Sequence, residues 1–216
     1  AEYCVVSEDF AYNIPSFFSD LQAAPLLCAG VIGYRALRLT GMKDGQVLGL
    51  YGFGASAHLV IQMVRYKFPA SKIFVFSRPG QFSHQEMAKK LGASWVGATG
   101  EIPPEPLNCA IDFTPAGKPV SEALKVLDRG GRLVINAIRK EEPIPPLDYK
   151  SQLWLEKEIK SVANVTRLDA EEFLPLAARI PIIPEVTEFK LEEANDALLI
   201  LKEGRMPGAG VLNIGG

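Results

Sequence analysis

The chain has 216 residues, of which 48% are hydrophobic and 22% are charged, and this composition excludes disorder, collagen and coiled coil as overall classes. Its formal net charge is -2, so the sequence predicts no nucleic-acid partner and no acidic membrane surface as partner. The cysteines Cys4, Cys28 and Cys109 are too few and too scattered for a disulfide framework, which predicts a protein of the reducing cytoplasm.

The sequence predicts neither a membrane span nor a targeting segment. Residues 45–64 carry no formal charge and are long enough to cross a bilayer, but a cluster of glycines divides them into a strand, a turn and a helix. The first residues lack the basic and apolar regions of a signal peptide. Their pattern is typical of the middle of a strand, which predicts that the sequence is part of a longer chain.

The predicted elements begin with a short strand at 2–6 and a helical segment at 21–39 with a break near Gly30 and Gly33. From residue 46 onward, apolar strands alternate with helices. Strands are predicted at 46–51, 72–76, 94–97, 108–113, 132–138 and 159–162, and helices at 55–66, 85–91 and 120–127. This alternation predicts an α/β fold with a doubly wound parallel sheet, covered on both faces, over residues 29–165.

The C-terminal part has a different pattern, in which short strands are separated by amphipathic helices. We predict a helix at 169–179 that contains Pro175, a strand at 184–190, a helix at 191–202 closed by Gly204, and a last strand at 208–214.

The clearest motif, Gly-Phe-Gly-Ala-Ser-Ala, follows a predicted strand and opens a predicted helix. Gly52 permits a tight turn, Gly54 lets the backbone approach a pyrophosphate, and Ala57 is small enough for close packing of helix on strand. Ala55 and Ser56 lie at the helix N-terminus, where free amides and the positive dipole end favour an anion. The context therefore favours a dinucleotide-binding turn over a plain turn that binds nothing.

The end of the second predicted strand indicates which dinucleotide binds. Sites for NAD place an Asp or Glu there for the ribose 2′-hydroxyl, whereas this chain has Ser77 and Arg78. Ser77 can donate one hydrogen bond to a 2′-phosphate, and Arg78 can form a charge-assisted pair with it. We therefore predict NADP(H) in preference to NAD(H); the alternative is that Arg78 is a solvated loop charge.

The predicted sheet topology indicates further coenzyme contacts, because ligands of doubly wound sheets bind at the carboxyl ends of the strands. It predicts contacts from Thr114 and from the consecutive residues Asn136, Ala137 and Ile138. An ordinary strand end is the alternative at both places.

Several segments, taken in order, resemble the later part of the zinc-dependent medium-chain alcohol dehydrogenases. AEYCVVSED (1–9) resembles the end of the family's catalytic domain, and APLLCAGVIGYRAL (24–37) resembles its crossover into the coenzyme domain. The other matching segments are GLYGFGASAHL (49–59), MAKKLGA (87–93), ALKVLDRGGRLVINA (123–137), FKLEEANDALLILKEG (189–204) and GAGVLNI (208–214).

The resemblance implies a Rossmann dinucleotide-binding domain at 29–165. The incomplete remainder of a GroES-like catalytic domain would flank it at 1–28 and 166–216. It also implies hydride transfer between NADP(H) and a small-molecule alcohol or aldehyde whose oxygen binds a catalytic zinc. The family pairs into dimers through the last strand of the coenzyme sheet, which predicts a homodimer through residues 159–162, an edge that is otherwise exposed.

In that family the cysteine of the PLLCAG segment is a ligand of the catalytic zinc, and it corresponds to Cys28 here. A catalytic zinc needs three protein ligands, and the family's other ligands come from upstream segments that this sequence does not contain. The chain alone is therefore expected to be inactive. On its residues alone, Cys28 is more simply explained as a cysteine of an apolar helix.

The remaining histidines and cysteines have simpler explanations. His58 lies on the coenzyme helix and is not expected to be a ligand, and His84 is expected to be a solvated surface residue. Cys4 and Cys109 fall in predicted strands, which indicates core packing. Two alternative functions stay open: a zinc-free quinone or enoyl reductase of the same superfamily, whose members generally lack the cysteine at position 28, and a non-catalytic NADP(H)-binding module.

Overall fold

The computed structural model describes residues 3–214, and within them six strands form one parallel sheet. The strand order is β3-β2-β1-β4-β5-β6, the order of dinucleotide-binding folds, so the predicted doubly wound parallel sheet is confirmed. The strands are β1 Val47–Tyr51, β2 Lys72–Ser77, β3 Trp95–Ala98, β4 Leu107–Asp112, β5 Leu127–Ile135 and β6 Glu158–Ser161.

Helices cover both faces of this sheet. They are α2 Val31–Thr40, α3 Ala57–Lys67, α4 Phe82–Lys90, α5 Lys118–Val126 and α6 Arg167–Arg179, whereas α1 Asp20–Pro25 and α7 Ala194–Lys202 lie against a second, smaller sheet. A wide helical turn, Leu26–Gly30, joins α1 to α2, and Gly33 lies inside α2 without breaking it.

Alternating side chains of the buried strands divide the core between the two faces. In β1, Leu48 and Leu50 belong to the cluster that contains residues of α2, α3 and α6. Val47 and Tyr51 belong to the cluster that contains residues of α5. Because both sets are apolar, the strand is buried on both sides, as parallel sheets require.

Helix α6 is fixed to α2 by the fully buried carboxylate of Asp169. It accepts hydrogen bonds from Arg35 at 2.7 Å and from Arg38 at 2.9 Å, and it also caps its own helix through Thr166. Burial alone would raise the pKa of Asp169, but the hydrogen bonds from Thr166 and Arg35 outweigh burial and hold this pKa below its usual value.

A second, separate sheet holds two parallel strands, β7 Val186–Lys190 and β8 Ala209–Asn213. Helix α7 connects them, and several of its apolar side chains, such as Leu198 and Leu201, are exposed. None of the helices in residues 3–214 is both long and apolar enough for a bilayer crossing.

Two predicted strands differ from the structure. Residues 3–6 form no strand, because neither sheet of the described residues offers their backbone a partner, and Glu2 lies outside the described residues. Cys4 is consequently exposed, so its predicted core position is wrong. The strand predicted at 132–138 begins earlier, at Leu127, and ends at Ile135.

Candidate functional site

The glycine turn lies where the strand order of the sheet reverses, between the carboxyl ends of β1 and β4. Gly52 has a φ of +82°, and its amide donates to the carbonyl of Phe76 at 2.8 Å. A Cβ at this position would lie 2.9 Å from Cγ2 of Thr114. Both the backbone conformation and the close neighbour therefore require glycine.

Gly54 differs from Gly52, because a Cβ built on it would meet no described heavy atom within 4 Å. Residues Gly54, Ala55, Ser56 and Ala57 precede the first hydrogen bond of α3, which runs from the amide of His58 to the carbonyl of Gly54 at 3.2 Å. No side chain of the described residues caps this helix. The turn therefore offers amides and a positive helix end beside open space, an arrangement suited to a phosphate.

Ala57 is fully buried at the start of α3, where this helix meets α2. A Cβ on Gly33 of α2 would lie only 2.8 Å from Cγ2 of Val60, so the two helices are closely packed. The absence of a side chain at Gly33 thus allows α2 to pack closely on the first turns of α3.

His58 connects the glycine turn to the C-terminal part of the chain. Its ring is fully buried, with Nδ1 3.2 Å from the carbonyl oxygen of Gly54. The amide of Glu185 donates to Nε2 at 3.1 Å. Both contacts are satisfied by the neutral ring with its proton on Nδ1, which leaves His58 no free position for a metal.

The neutral state of His58 has a consequence for pH dependence. Burial lowers the pKa of His58, although the Gly54 carbonyl and the charge of Glu185 oppose the shift. The unfolded chain binds the proton more readily, so the free energy of unfolding should fall as the pH decreases through about 6.5. Burial also lowers the pKa of His84, which adds a contribution of the same sign.

We expect His58→Gln to remove part of this pH dependence. Urea unfolding of the chain and of the variant at pH 7.5 and pH 5.5 measures it, and His84→Gln is the companion variant. An unchanged pH dependence in both variants would show that neither ring is held neutral in the folded protein.

At the end of β2, Ser77 is buried and Arg78 is exposed. The Ser77 hydroxyl accepts a hydrogen bond from Gln85 at 2.9 Å and donates to the carbonyl of Arg78 at 3.3 Å. A Cβ on Gly204 would lie 3.0 Å from a terminal nitrogen of Arg78. No carboxylate of residues 3–214 forms an ion pair with the Arg78 guanidinium, which leaves it available for an anionic ligand.

His84 is buried, so its predicted surface position is wrong. The backbone of Met206 approaches its ring and Arg78 lies close by, while Nδ1 has no hydrogen-bond partner among the described residues. This burial could not be predicted from the local sequence, because Met206, which covers the ring, lies far along the chain.

The loop that follows β4 lies against the glycine turn. Thr114, predicted as a coenzyme contact, touches Gly52, and its hydroxyl donates to Asp112 Oδ1 at 2.7 Å. Asp112 is fully buried and forms an ion pair with Lys140. Sequence reasoning missed this pair, because its two residues are distant along the chain and meet only when β4 and β5 are neighbours.

The loop that follows β5 contains the other predicted contacts. The Asn136 amide donates to the carbonyl of Asp112 at 2.8 Å, so this loop begins beside the end of β4. Asn136 and Ala137 are half-buried, whereas the side chain of Ile138 is fully exposed. The structure thus brings Thr114, Asn136 and Ala137 to the same end of the sheet as the glycine turn.

Cys28 lies in the turn Leu26–Gly30 and its side chain is exposed. Within residues 3–214, no three His, Cys, Asp or Glu side chains form a group that could hold a metal ion. The described residues therefore do not fit a complete zinc site. Cys109 is buried in β4, as predicted, and burial raises the pKa of its thiol to about 12.

Comparison with known proteins finds alcohol dehydrogenases that are similar to the chain over nearly its whole length, although no family model matches it. A probable alcohol dehydrogenase of Mycobacterium tuberculosis is 42% identical over 214 residues, which cover 99% of this chain and 60% of that relative. The chain thus spans less than two thirds of the length of that relative.

Solved structures share the fold. An NAD-dependent alcohol dehydrogenase superimposes with a TM-score of 0.85 at 18% identity, over 100% of this chain and 65% of its own. CAD from Helicobacter pylori, solved in complex with NADP(H), superimposes with a TM-score of 0.78 at 21% identity, over 88% of this chain and 54% of its own. The chain is a homologue of the medium-chain alcohol dehydrogenases and matches the part of them that contains the coenzyme domain.

Proposed function

We propose that the chain is the coenzyme-binding part of a zinc-dependent alcohol dehydrogenase that prefers NADP(H). The observation that carries this proposal is the glycine turn, where Gly54 leaves open space in front of the first amides of α3. A pyrophosphate fits this position because it needs donors and room for close backbone approach. The homology to alcohol dehydrogenases supports the reaction class.

When bound, NADP(H) would supply the redox chemistry: NADPH would donate a hydride to an aldehyde, and NADP+ would accept one from an alcohol. The chain's own residues bind and orient this coenzyme. The amides of Gly54, Ala55, Ser56 and Ala57 would hold the pyrophosphate, and Arg78 with Ser77 would hold the adenosine 2′-phosphate. Thr114 and the residues Asn136, Ala137 and Ile138 would contact the other half of the dinucleotide.

The proposed preference for NADP(H) rests on the Arg78 guanidinium, with which no carboxylate of residues 3–214 forms an ion pair. Loss of a charge-assisted contact costs about 1.5–3 kcal/mol, so Arg78→Ala should weaken NADPH binding roughly ten- to a hundredfold and leave NADH binding unchanged. Fluorescence titrations with the two coenzymes measure both dissociation constants. Ser77 contributes less in this proposal, because its hydroxyl would have to leave the carbonyl of Arg78.

Arg129→Ala is the matched control, since Arg129 is also exposed but lies near the start of β5, at the opposite end of the sheet. It should change neither dissociation constant. Equal affinities of the unsubstituted chain for NADPH and NADH would overturn the proposed preference.

The zinc part of the proposal depends on Cys28 alone. Its exposed thiol would be one ligand, and the remaining ligands would come from a part of the longer enzyme outside this sequence. In this proposal, residues 1–28 and 166–216 belong to the catalytic domain, and residues 29–165 form the Rossmann domain, as predicted from the sequence. The cysteines are all free thiols, in keeping with the proposed cytoplasmic location.

We also propose a homodimer that forms through β6. This strand is the edge of the sheet and all its residues are exposed. Alternation along the strand turns the Ser161 amide outward, since the Val162 amide donates inward to Ile135 at 2.9 Å. Ser161→Pro should therefore convert a dimer to a monomer in light scattering, while a monomeric unsubstituted chain would refute this interface.

A further inference from the structure

The loops that follow β4 and β5 are held together by a buried charge pair. Lys140 comes from the loop after β5, and its ammonium group pairs with the carboxylate of Asp112, the last residue of β4. Asp112 is fully buried, and the Lys140 side chain is only 16% exposed. A pair so far removed from water needs further hydrogen bonds to offset its desolvation.

Those further hydrogen bonds go to the loop beside the glycine turn. The Lys140 ammonium donates to the carbonyl of Thr114 at 2.7 Å and to that of Ala116 at 3.0 Å. The second oxygen of Asp112 accepts from the amide of Thr114 at 3.0 Å and from its hydroxyl at 2.7 Å. The two side chains therefore fix both the backbone and the side chain of Thr114.

Backbone contacts tighten the same arrangement. The Glu141 amide donates to the carbonyl of Pro115 at 2.8 Å. A Cβ on Gly117 would lie 2.0 Å from the carbonyl oxygen of Pro143, so the two loops meet without space for a side chain there. A shift of the Lys140 loop would consequently move the Thr114 loop as well.

The position of Thr114 matters because its methyl group packs against Gly52, the first residue of the glycine turn. Thr114 thus forms one wall of the place where the strand order reverses and where dinucleotides bind in such sheets. Lys140 and Asp112 hold Thr114 in place through their hydrogen bonds to it, and neither residue needs to touch the ligand.

We propose that Asp112 and Lys140 are positioning residues for the coenzyme: together they hold the Thr114 loop against the glycine turn in the geometry that binds NADP(H). This inference rests on the proposed function, since it assigns a role within the same coenzyme site. It extends the site to a charge pair that lies behind the surface contacted by the dinucleotide.

The double variant Asp112→Asn/Lys140→Met tests this role. Removal of both charges leaves no uncompensated buried ion, and the asparagine retains an oxygen for Thr114, so the variant should fold. Displacement of the Thr114 loop should weaken binding of NADPH roughly tenfold, which corresponds to the loss of about one hydrogen bond. The dissociation constant of NADPH is measured at a temperature where circular dichroism shows every variant to be folded.

The matched control is a second ion pair of the same sheet, at its opposite end. Arg132 of β5 donates to both carboxylate oxygens of Glu158 on β6, at 2.8 and 3.0 Å. Arg132→Met/Glu158→Gln removes a more exposed ion pair, with side chains 29% and 50% exposed, so it controls for the loss of an ion pair elsewhere in the sheet. It should leave the dissociation constant of NADPH within about twofold of the unsubstituted chain, within the error of additivity for distant sites.

The outcomes are distinguishable. Weaker NADPH binding in the Asp112/Lys140 variant, with the control unchanged, supports the inference. Normal NADPH binding in that variant, or an equal loss in the control, overturns it and leaves the proposed function intact. An unsubstituted chain that binds no NADPH overturns the proposed function and this inference together.

Discussion

Gly54→Val should eliminate measurable NADPH binding and leave the fold intact. No described heavy atom lies within 4 Å of a Cβ at this position, so the valine side chain has space in the free protein. In the proposed function, this is the space through which the pyrophosphate approaches the helix N-terminus. Loss of two charge-assisted hydrogen bonds, each of about 1.5–3 kcal/mol, raises the dissociation constant roughly a hundredfold or more. Calorimetric titration and thermal unfolding measure the two effects separately.

Gly52→Ala provides the contrast. At Gly52, φ is +82° and a Cβ would lie 2.9 Å from Thr114, so an alanine there strains the protein itself. This variant should lose both stability and NADPH binding, whereas Gly54→Val should lose binding alone. If Gly54→Val binds NADPH within a few-fold of the unsubstituted chain, the phosphate does not sit at this turn.

Cys28→Ala should abolish turnover in the longer enzyme and spare coenzyme binding. Loss of the proposed zinc ligand would remove several kcal/mol of transition-state stabilisation, or roughly a thousandfold in rate. In the proposed function the dinucleotide is held elsewhere, by the glycine turn and by Arg78, so the dissociation constant of NADPH should not change. Metal analysis and an alcohol oxidation assay on the longer enzyme measure both consequences.

Two controls complete this experiment. Cys4→Ala also removes an exposed thiol and should leave the zinc content and the rate unchanged. The 216-residue chain alone should bind zinc weakly and show no turnover, because one thiolate cannot provide three ligands. Full activity of the Cys28→Ala enzyme would favour the zinc-free quinone and enoyl reductases.

The sheet could be predicted because each strand carries its own signal. An apolar run such as 47–51, followed at once by glycine, needs no knowledge of distant residues. The strand predicted at 2–6 had the same kind of local pattern, but a strand also needs a partner, and residues 3–6 have none in either sheet. The local pattern therefore predicts a strand correctly only where the fold also provides a neighbouring strand to pair with it.

The parts of the site that escaped prediction depend on residues far apart in sequence. The burial of His84 depends on Met206, and the contact of His58 with Glu185 spans 127 positions. The pairing of Lys140 with Asp112 requires that β4 and β5 be adjacent. A charged residue at a strand end followed by a lysine in the next loop is too common a pattern to single out such a pair.

A nuclear magnetic resonance titration of the chain with NADPH tests the central claim most directly, because backbone amides report the position of the ligand. We predict that the largest shifts in the ¹H–¹⁵N spectrum occur at Gly54, Ala55, Ser56 and Ala57, with further shifts at Arg78. Saturation without shifts at these amides, or no saturation at all, would contradict the assignment of this turn as the coenzyme site.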